Sequence, residues 1–200
     1  MKKFLFLSCA ACLFTAHSGY GLDLTPRFVT RITGTQNENI PYFMEGETRY
    51  SMELPRGVSA LGGEGEAIFI FRDIDGSLTM KASPFKPNDP FSGTTLESYR
   101  KAALGFVPAG ATDISIKQET PDPLTFNGWR SHGFTVAYVL PGRSFFQSVT
   151  FLNFNENQQI ALITSAPSKS FERAESLTLA IMSAWRKLRP GESIAVPPPL

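Results

Sequence analysis

The residues best equipped for chemistry lie between Gly128 and Leu140, GWRSHGFTVAYVL, which gathers Trp129, Arg130 and His132 into one short stretch. A neutral imidazole exchanges protons near pH 7, so His132 is the natural general base for a hydroxyl nucleophile. That chemistry also needs a serine within reach and an acid to orient the ring. Serines and aspartates are plentiful, but no G-x-S-x-G elbow is present. His132 stands one residue before Gly133, at the start of an alternating apolar run. The expectation is therefore a half-exposed strand residue beside a tryptophan and an arginine, and no catalytic residue. Trp and Arg are the types most often found at binding hot spots. The expected contact residues are Trp129, Arg130 and His132, with Phe146 as an aromatic anchor.

Metal chemistry has less to offer. Asp73-Ile-Asp75-Gly76-Ser77 supplies the first acidic positions of a calcium loop, but Pro84 stands where the bidentate glutamate belongs. A turn is sufficient reason for the Asp-Gly pair. Glu64 and Glu66 read as solvating charges in a glycine-rich turn. No metal and no cofactor are expected. Nucleic acid is disfavoured by a charge near zero and by the absence of a Lys/Arg run. Arg186, Lys187 and Arg189 are expected in the last turn of a final helix, where cations suit the dipole.

The chain has 200 residues, 42% of them hydrophobic, enough for one domain with a substantial core. Its N-terminus reads as a secretory signal. Lys2 and Lys3 precede the short apolar run Phe4 to Thr15, and Ala16-His17-Ser18 offers small residues for cleavage before Gly19. Removing residues 1–18 takes away both cysteines and His17, and changes the formal charge from +1 to −1. The remaining chain has His132 as its one histidine and no thiol, so it must be held by packing alone. A lipid anchor at Cys12 is disfavoured. Cys9 occupies the position where leucine is usual, and Leu13 and Phe14 continue the apolar run. The expected location is periplasmic or secreted.

Strand signals dominate the rest of the chain. Arg27 to Ile32 reads as an edge strand and Thr35 to Asn39 as a polar loop. Arg49 to Leu54 alternates up to Pro55. Ala67 to Phe71 and Ser77 to Ala82 flank Asp75-Gly76, a strong hairpin signal. Thr94-x-x-Glu97 is a capping box opening a helix to Leu104. Ile114 and Ile116 mark another strand. Three strands then form a meander: Phe134 to Val139, Ser144 to Phe154, and Gln159 to Ser165. Phe145 and Phe146, as strand neighbours, must point to opposite faces, so both faces need cover. Phe171, Ala174, Leu177, Ile181, Trp185 and Leu188 trace one face of a helix of about five turns that ends at Pro190-Gly191. Pro197 to Pro199 belong to an extended tail.

Taken together, YSMELPRG (Tyr50 to Gly57), the Asp75-Gly76 hairpin, the Thr94–Leu104 helix, Asn127-Gly128 opening a strand, the meander and the last helix resemble the Mog1/PsbP-like fold. Within it the chain looks most like exported bacterial proteins of the DcrB and PsbP-related type. The resemblance implies an α+β class: an antiparallel sheet flanked by helices on both faces, an α/β/α sandwich spanning 48–189. A 19–47 extension precedes it and a 190–200 tail comes after it. It also implies a non-enzymatic binding or assembly module, with another envelope protein as partner. Two alternatives stand beside this: a carrier holding a small apolar ligand between sheet and helix, and a hydrolase using His132.

Overall fold

The structure, a computed structural model, describes residues 21–33, 36–87, 89–124 and 128–194. The expected signal segment with its cysteines, Asn127, and the end of the proline-rich tail lie outside the described residues. In chain order the strands are β1 (Leu22–Thr33), β2 (Gln36–Glu45), β3 (Thr48–Ser51), β4 (Val58–Gly63), β5 (Glu66–Phe71) and β6 (Gly76–Ala82). Helix α1 (Gly93–Gly105) comes next, then β7 (Thr112–Pro121), β8 (Ser131–Leu140), β9 (Arg143–Asn153) and β10 (Gln159–Pro167). Helix α2 (Phe171–Ser183) and the short β11 (Arg186–Lys187) are the last elements among the described residues.

These strands make two sheets where one was expected. The large sheet has seven strands in the order β4-β5-β6-β10-β9-β8-β7, and the small one has four, β1-β2-β3-β11. Both are antiparallel throughout. The hairpin at Asp75-Gly76 and the β8–β10 meander form as the alternation predicts. Asp75 takes φ +53° in the turn, a conformation Asp tolerates better than most residues.

Period-two alternation decides what lies on each face of the large sheet. Phe134, Val136, Val149, Phe151, Ala161 and Ile163 share one cluster with Tyr99 and Ala103 of α1. The intervening positions Leu152, Ile160, Leu162 and Ala166 share another with Phe171, Ala174, Ile181 and Met182 of α2. Phe145 and Phe146 divide in the same way: Phe145 stacks on Tyr138 at 5.5 Å, while Phe146 meets Phe171, also at 5.5 Å.

The segment preceding Thr48 is structured. β1 lies at the edge of the small sheet, as the Arg27–Ile32 pattern predicts. Gln36 to Asn39 of the stretch read as a polar loop are instead the start of β2. It is polar because it pairs in solvent, with Thr30 Oγ1 donating to Asn39 Oδ1 (2.9 Å) and Arg31 held by Glu38 (2.6 Å). Leu22, Leu24 and Phe43 enter the same core as α2.

Both helix ends differ from expectation. α1 has Ser92 at its N-cap with no side-chain capping bond, so the Thr94/Glu97 box does not form. Glu97 instead pairs with Arg100 one turn on. α2 stops at Ser183, short of Leu188. Trp185 stays buried beyond the helix, Arg186 and Lys187 pair with β3, and Leu188 packs with Ile40 and Ile194. The apolar spacing continues past the helix end because the chain keeps a buried side while changing conformation.

The two sheets touch where β1 crosses the end of β4. A Cβ built on Gly62 would lie 2.3 Å from Pro26 Cδ, so only glycine fits against that ring. We expect Gly62→Ala to cost about 1–3 kcal/mol, the usual range for forced overpacking. Adding Pro26→Ala should restore much of the loss. Urea unfolding of the single and double variants checks both outcomes.

Candidate functional site

The residues singled out from sequence do not meet on one surface. His132 is buried on the α1 face, 6% exposed, and not half-exposed as its position at a strand start implies. Its Nε2 lies 2.9 Å from Glu119 Oε1 of β7, and its ring stacks under Phe91 at 5.3 Å. Glu119 Oε2 also accepts from Arg100 of α1, Nε at 2.9 Å and Nη2 at 2.6 Å. Trp129 sits toward the opposite face, against Phe154 at 5.2 Å. Phe146 lies on that face too, while Arg130 between Trp129 and His132 is exposed. The cover over His132 comes from a distant loop and a neighbouring strand, which local sequence does not reveal.

The His132 cluster therefore works as a clamp between α1 and the sheet. Partial burial would raise the Glu119 carboxyl, but hydrogen bonds and charge from Arg100 and His132 outweigh it and hold it below its ordinary 4.5. The carboxylate form is stabilised by folding. That stability is complete above 4.5 and is lost as pH falls through the lowered value. Glu119→Gln should cost about 1 kcal/mol at neutral pH, since the group is partly solvated. The melting curves of variant and parent should converge in acid. Calorimetry across pH 2.5–7 checks this, and a constant gap would exclude the carboxylate as the source.

The acidic turn does not gather ligands for a cation. Asp75 accepts from Arg143 Nη1 at 2.7 Å, and Asp73 faces Arg173 at 3.7 Å. No group of three or more His, Cys, Asp or Glu side chains suited to a metal occurs among the described residues. No described helix is long and apolar enough to cross a membrane.

A different region has the form of a binding site. Where the small sheet meets the large one, a cleft of about 560 Å³ opens along β4. Its wall follows the chain continuously from Leu54 to Leu61, so residues of both parities, and hence the strand edge itself, line the space. β4 ends its sheet and has β5 as its one strand partner among the described residues. Arg72 N–H donates to Gly57 C=O at 3.0 Å, which sets the ladder parity. In that register the N–H and C=O of Ala60 and the C=O of Val58 point away from β5, into the cleft. Pro26, which has no N–H, closes the edge at Gly62.

The rim of this cleft carries side chains that a monomer normally hides or pairs. Phe28 is 43% exposed and Leu61 57%. Arg56 and Arg72 are exposed and have no ion-pair partner among the described residues. Glu38, also on the rim, is already held by Arg31. Gly57 shapes the entry to β4: it sits at φ +82°, and a Cβ there would lie 2.9 Å from Asp73 Oδ2. The sequence signals for this site were the Pro55-Arg56-Gly57 turn and a weakly apolar β4. Neither marks a cleft without the small sheet beside it.

No family model matches the sequence, and no curated protein matches it. Among solved structures the chain is similar to the cyanobacterial PsbP (CyanoP) of Synechocystis, with a TM-score of 0.48 and 15% identity over 78% of this chain and 96% of that one. It is also similar to the Ran-binding protein Mog1p of Saccharomyces cerevisiae, with a TM-score of 0.46 and 8% identity over 82% and 95% of the two chains. A point mutant of Mog1 gives a TM-score of 0.46 at 9% identity, over 80% and 95%. The similarity is thus to structures of the PsbP and Mog1 types.

Proposed function

We propose that the chain is a non-enzymatic binding module, exported to the periplasm or beyond, that takes an extended segment of another envelope protein into the cleft along β4. The observation that carries this reading is one place where an open strand edge, two exposed apolar side chains and two unpaired guanidiniums coincide. Main-chain bonds to an edge give affinity, and side-chain pockets beside it give selectivity. The large sheet, with α1 on one face and α2 with the small sheet on the other, is the rigid support. Kinship with exported DcrB-type proteins belongs to the same reading.

The catalytic alternative has less support. The imidazole of His132 is committed to Glu119, lies under Phe91, and has no hydroxyl partner among its hydrogen bonds. A general base must reach the proton it abstracts, and this one is enclosed.

Export and binding are tested separately. Residues 1–18 placed before a reporter that is active only outside the cytoplasm should export it, and the mature chain should begin at Gly19. Retention of the reporter inside the cell would remove the envelope from the proposal. For the cleft, peptides selected from a random display library should bind the mature protein in extended form. Binding should slow amide exchange at Ala60 and weaken at least tenfold in Leu61→Asp, because the variant sets an unpaired carboxylate against the bound segment where an apolar contact stood. Selected peptides that bind equally well after Leu61→Asp, or that protect amides elsewhere, would sink the cleft as the site.

A further inference from the structure

The pocket expected between sheet and helix exists, and hydroxyl side chains cross its floor among apolar ones. α2 crosses the large sheet over β10, where Thr164 and Thr178 bond to each other at 2.8 Å. Beyond β10 the floor is uncovered. Two adjoining cavities of about 420 and 160 Å³ run out over β9, β8 and β7, sharing Pro123, Ser148, Thr150 and Glu175.

The floor is a hydroxyl band laid across the strands. In register, Gln118, Thr135, Ser148 and Thr164 form one row. Thr120, Gly133 and Thr150 form the next. Neighbouring rungs in such a row are about 4.8 Å apart. The opposite face of the same strands carries Phe134, Val136, Val149 and Phe151. Sheet propensity alone thus gives no reason for hydroxyls on this side, where an apolar surface would pack under a helix.

Thr150 is the decisive residue. It is only 8% exposed, yet its hydroxyl has no hydrogen-bond partner among the described residues and it borders both cavities. Its oxygen is not sealed from solvent, so the bonding capacity it leaves unused is presented to the groove. Gly133, opposite it, keeps the space open: a Cβ there would lie 3.4 Å from Thr150 Oγ1 and 3.1 Å from Pro123 Cγ. Glu175 overhangs from α2, half-buried, its carboxyl pushed up by burial and then by Glu172. Phe146 supplies an apolar wall.

We infer that this groove binds a polyhydroxylated ligand of the saccharide class. Hydroxyls and carboxylates all accept hydrogen bonds, and the carboxylates in their charged form only accept. The hydroxyls also donate, so the complementary molecule offers both donors and acceptors, with donors in excess. A sugar does so on its polar edge and offers C–H faces to a ring such as Phe146. An anion would face Glu172 and Glu175, with Lys117 at the rim as the cation among the lining residues. This site is separate from the β4 cleft and does not rest on it.

The test is a titration of the mature, isotope-labelled protein with maltose, cellobiose and chitobiose, and in parallel with spermidine, followed by amide chemical shifts. We expect saturable shifts at Gly133, Thr135, Ser148 and Thr150 with at least one disaccharide. Thr150→Val should weaken that binding roughly tenfold, the loss of one hydrogen bond to a ligand. The same variant should melt close to the parent, because it exchanges an unpartnered, groove-facing hydroxyl for a methyl of like shape. The inference is overturned if no disaccharide gives saturable shifts, if the shifts fall outside the groove, if Thr150→Val binds as tightly as the parent, or if spermidine alone binds.

Discussion

The relative placement of the two sheets depends on one aromatic contact. Trp185 leaves the end of α2 and inserts between Phe43 of β2, stacked at 5.1 Å, Tyr50 of β3 at 5.8 Å and Phe154 after β9 at 5.9 Å. Its indole N–H is buried without a hydrogen-bond partner among the described residues. That omission costs on the order of 1–3 kcal/mol. Ring packing and burial must exceed it, and each well-oriented aromatic pair adds roughly 0.5–1.5 kcal/mol beyond its area. The next residues form β11 against β3, and Leu188 then seals a third small cluster with Ile40 and Ile194. The small sheet is thus fastened by the end of the chain. The cleft along β4 exists only because that sheet is held where it is.

Elements whose own period matches their burial were legible in the sequence. β5 and β6 alternate cleanly, and β8 to β10 read as strands by their apolar and aromatic runs, β10 being buried along nearly its whole length. Residues whose surroundings come from elsewhere in the chain were not legible. His132 looks like a rim residue until Phe91 and Glu119 are brought over it. Trp185 and Leu188 continue the helical spacing of α2, although the backbone has already left the helix, because the buried direction persists through the change. β2 begins with polar residues since its first rungs pair in solvent with β1. Of the candidate cleft, only the turn at Pro55-Arg56-Gly57 could be read locally. Its other wall is a strand more than twenty residues away in sequence, Phe28 among its residues.

The two faces of the large sheet solve different problems. On the α1 side, apolar side chains and the Arg100–Glu119–His132 clamp close the surface, leaving the imidazole with structural partners on several sides. A partly exposed charge pair of this kind contributes modest stability at most, since solvent screens the attraction. Its geometry does fix how α1 lies across β7 and β8. On the α2 side the helix is too short to cover the sheet, and the uncovered strands carry hydroxyls in place of hydrophobic residues. An apolar floor there would be a sticky patch. A hydroxyl floor stays wettable while retaining strand propensity through threonine.

Sheet edges show where contact with another chain is discouraged and where it is not. β7 ends the large sheet with two register shifts, between Thr112 and Ser115 and between Ile116 and Gln118. Such bulges twist an edge away from further pairing. β1 ends the small sheet with an irregularity between Asp23 and Arg27, with Arg27 exposed as a charge and Arg31 tied to Glu38 and Glu53. Both are usual protections against edge-to-edge association. β4 is protected over only half its length, by Pro26 against Gly62. Its other half, Val58 to Ala60, carries neither charge, bulge nor proline, and Leu61 stands exposed beside it. A fold that blunts the edges at β7 and β1 and leaves this one open, at the mouth of a cleft, has the physical form of a surface available for another strand.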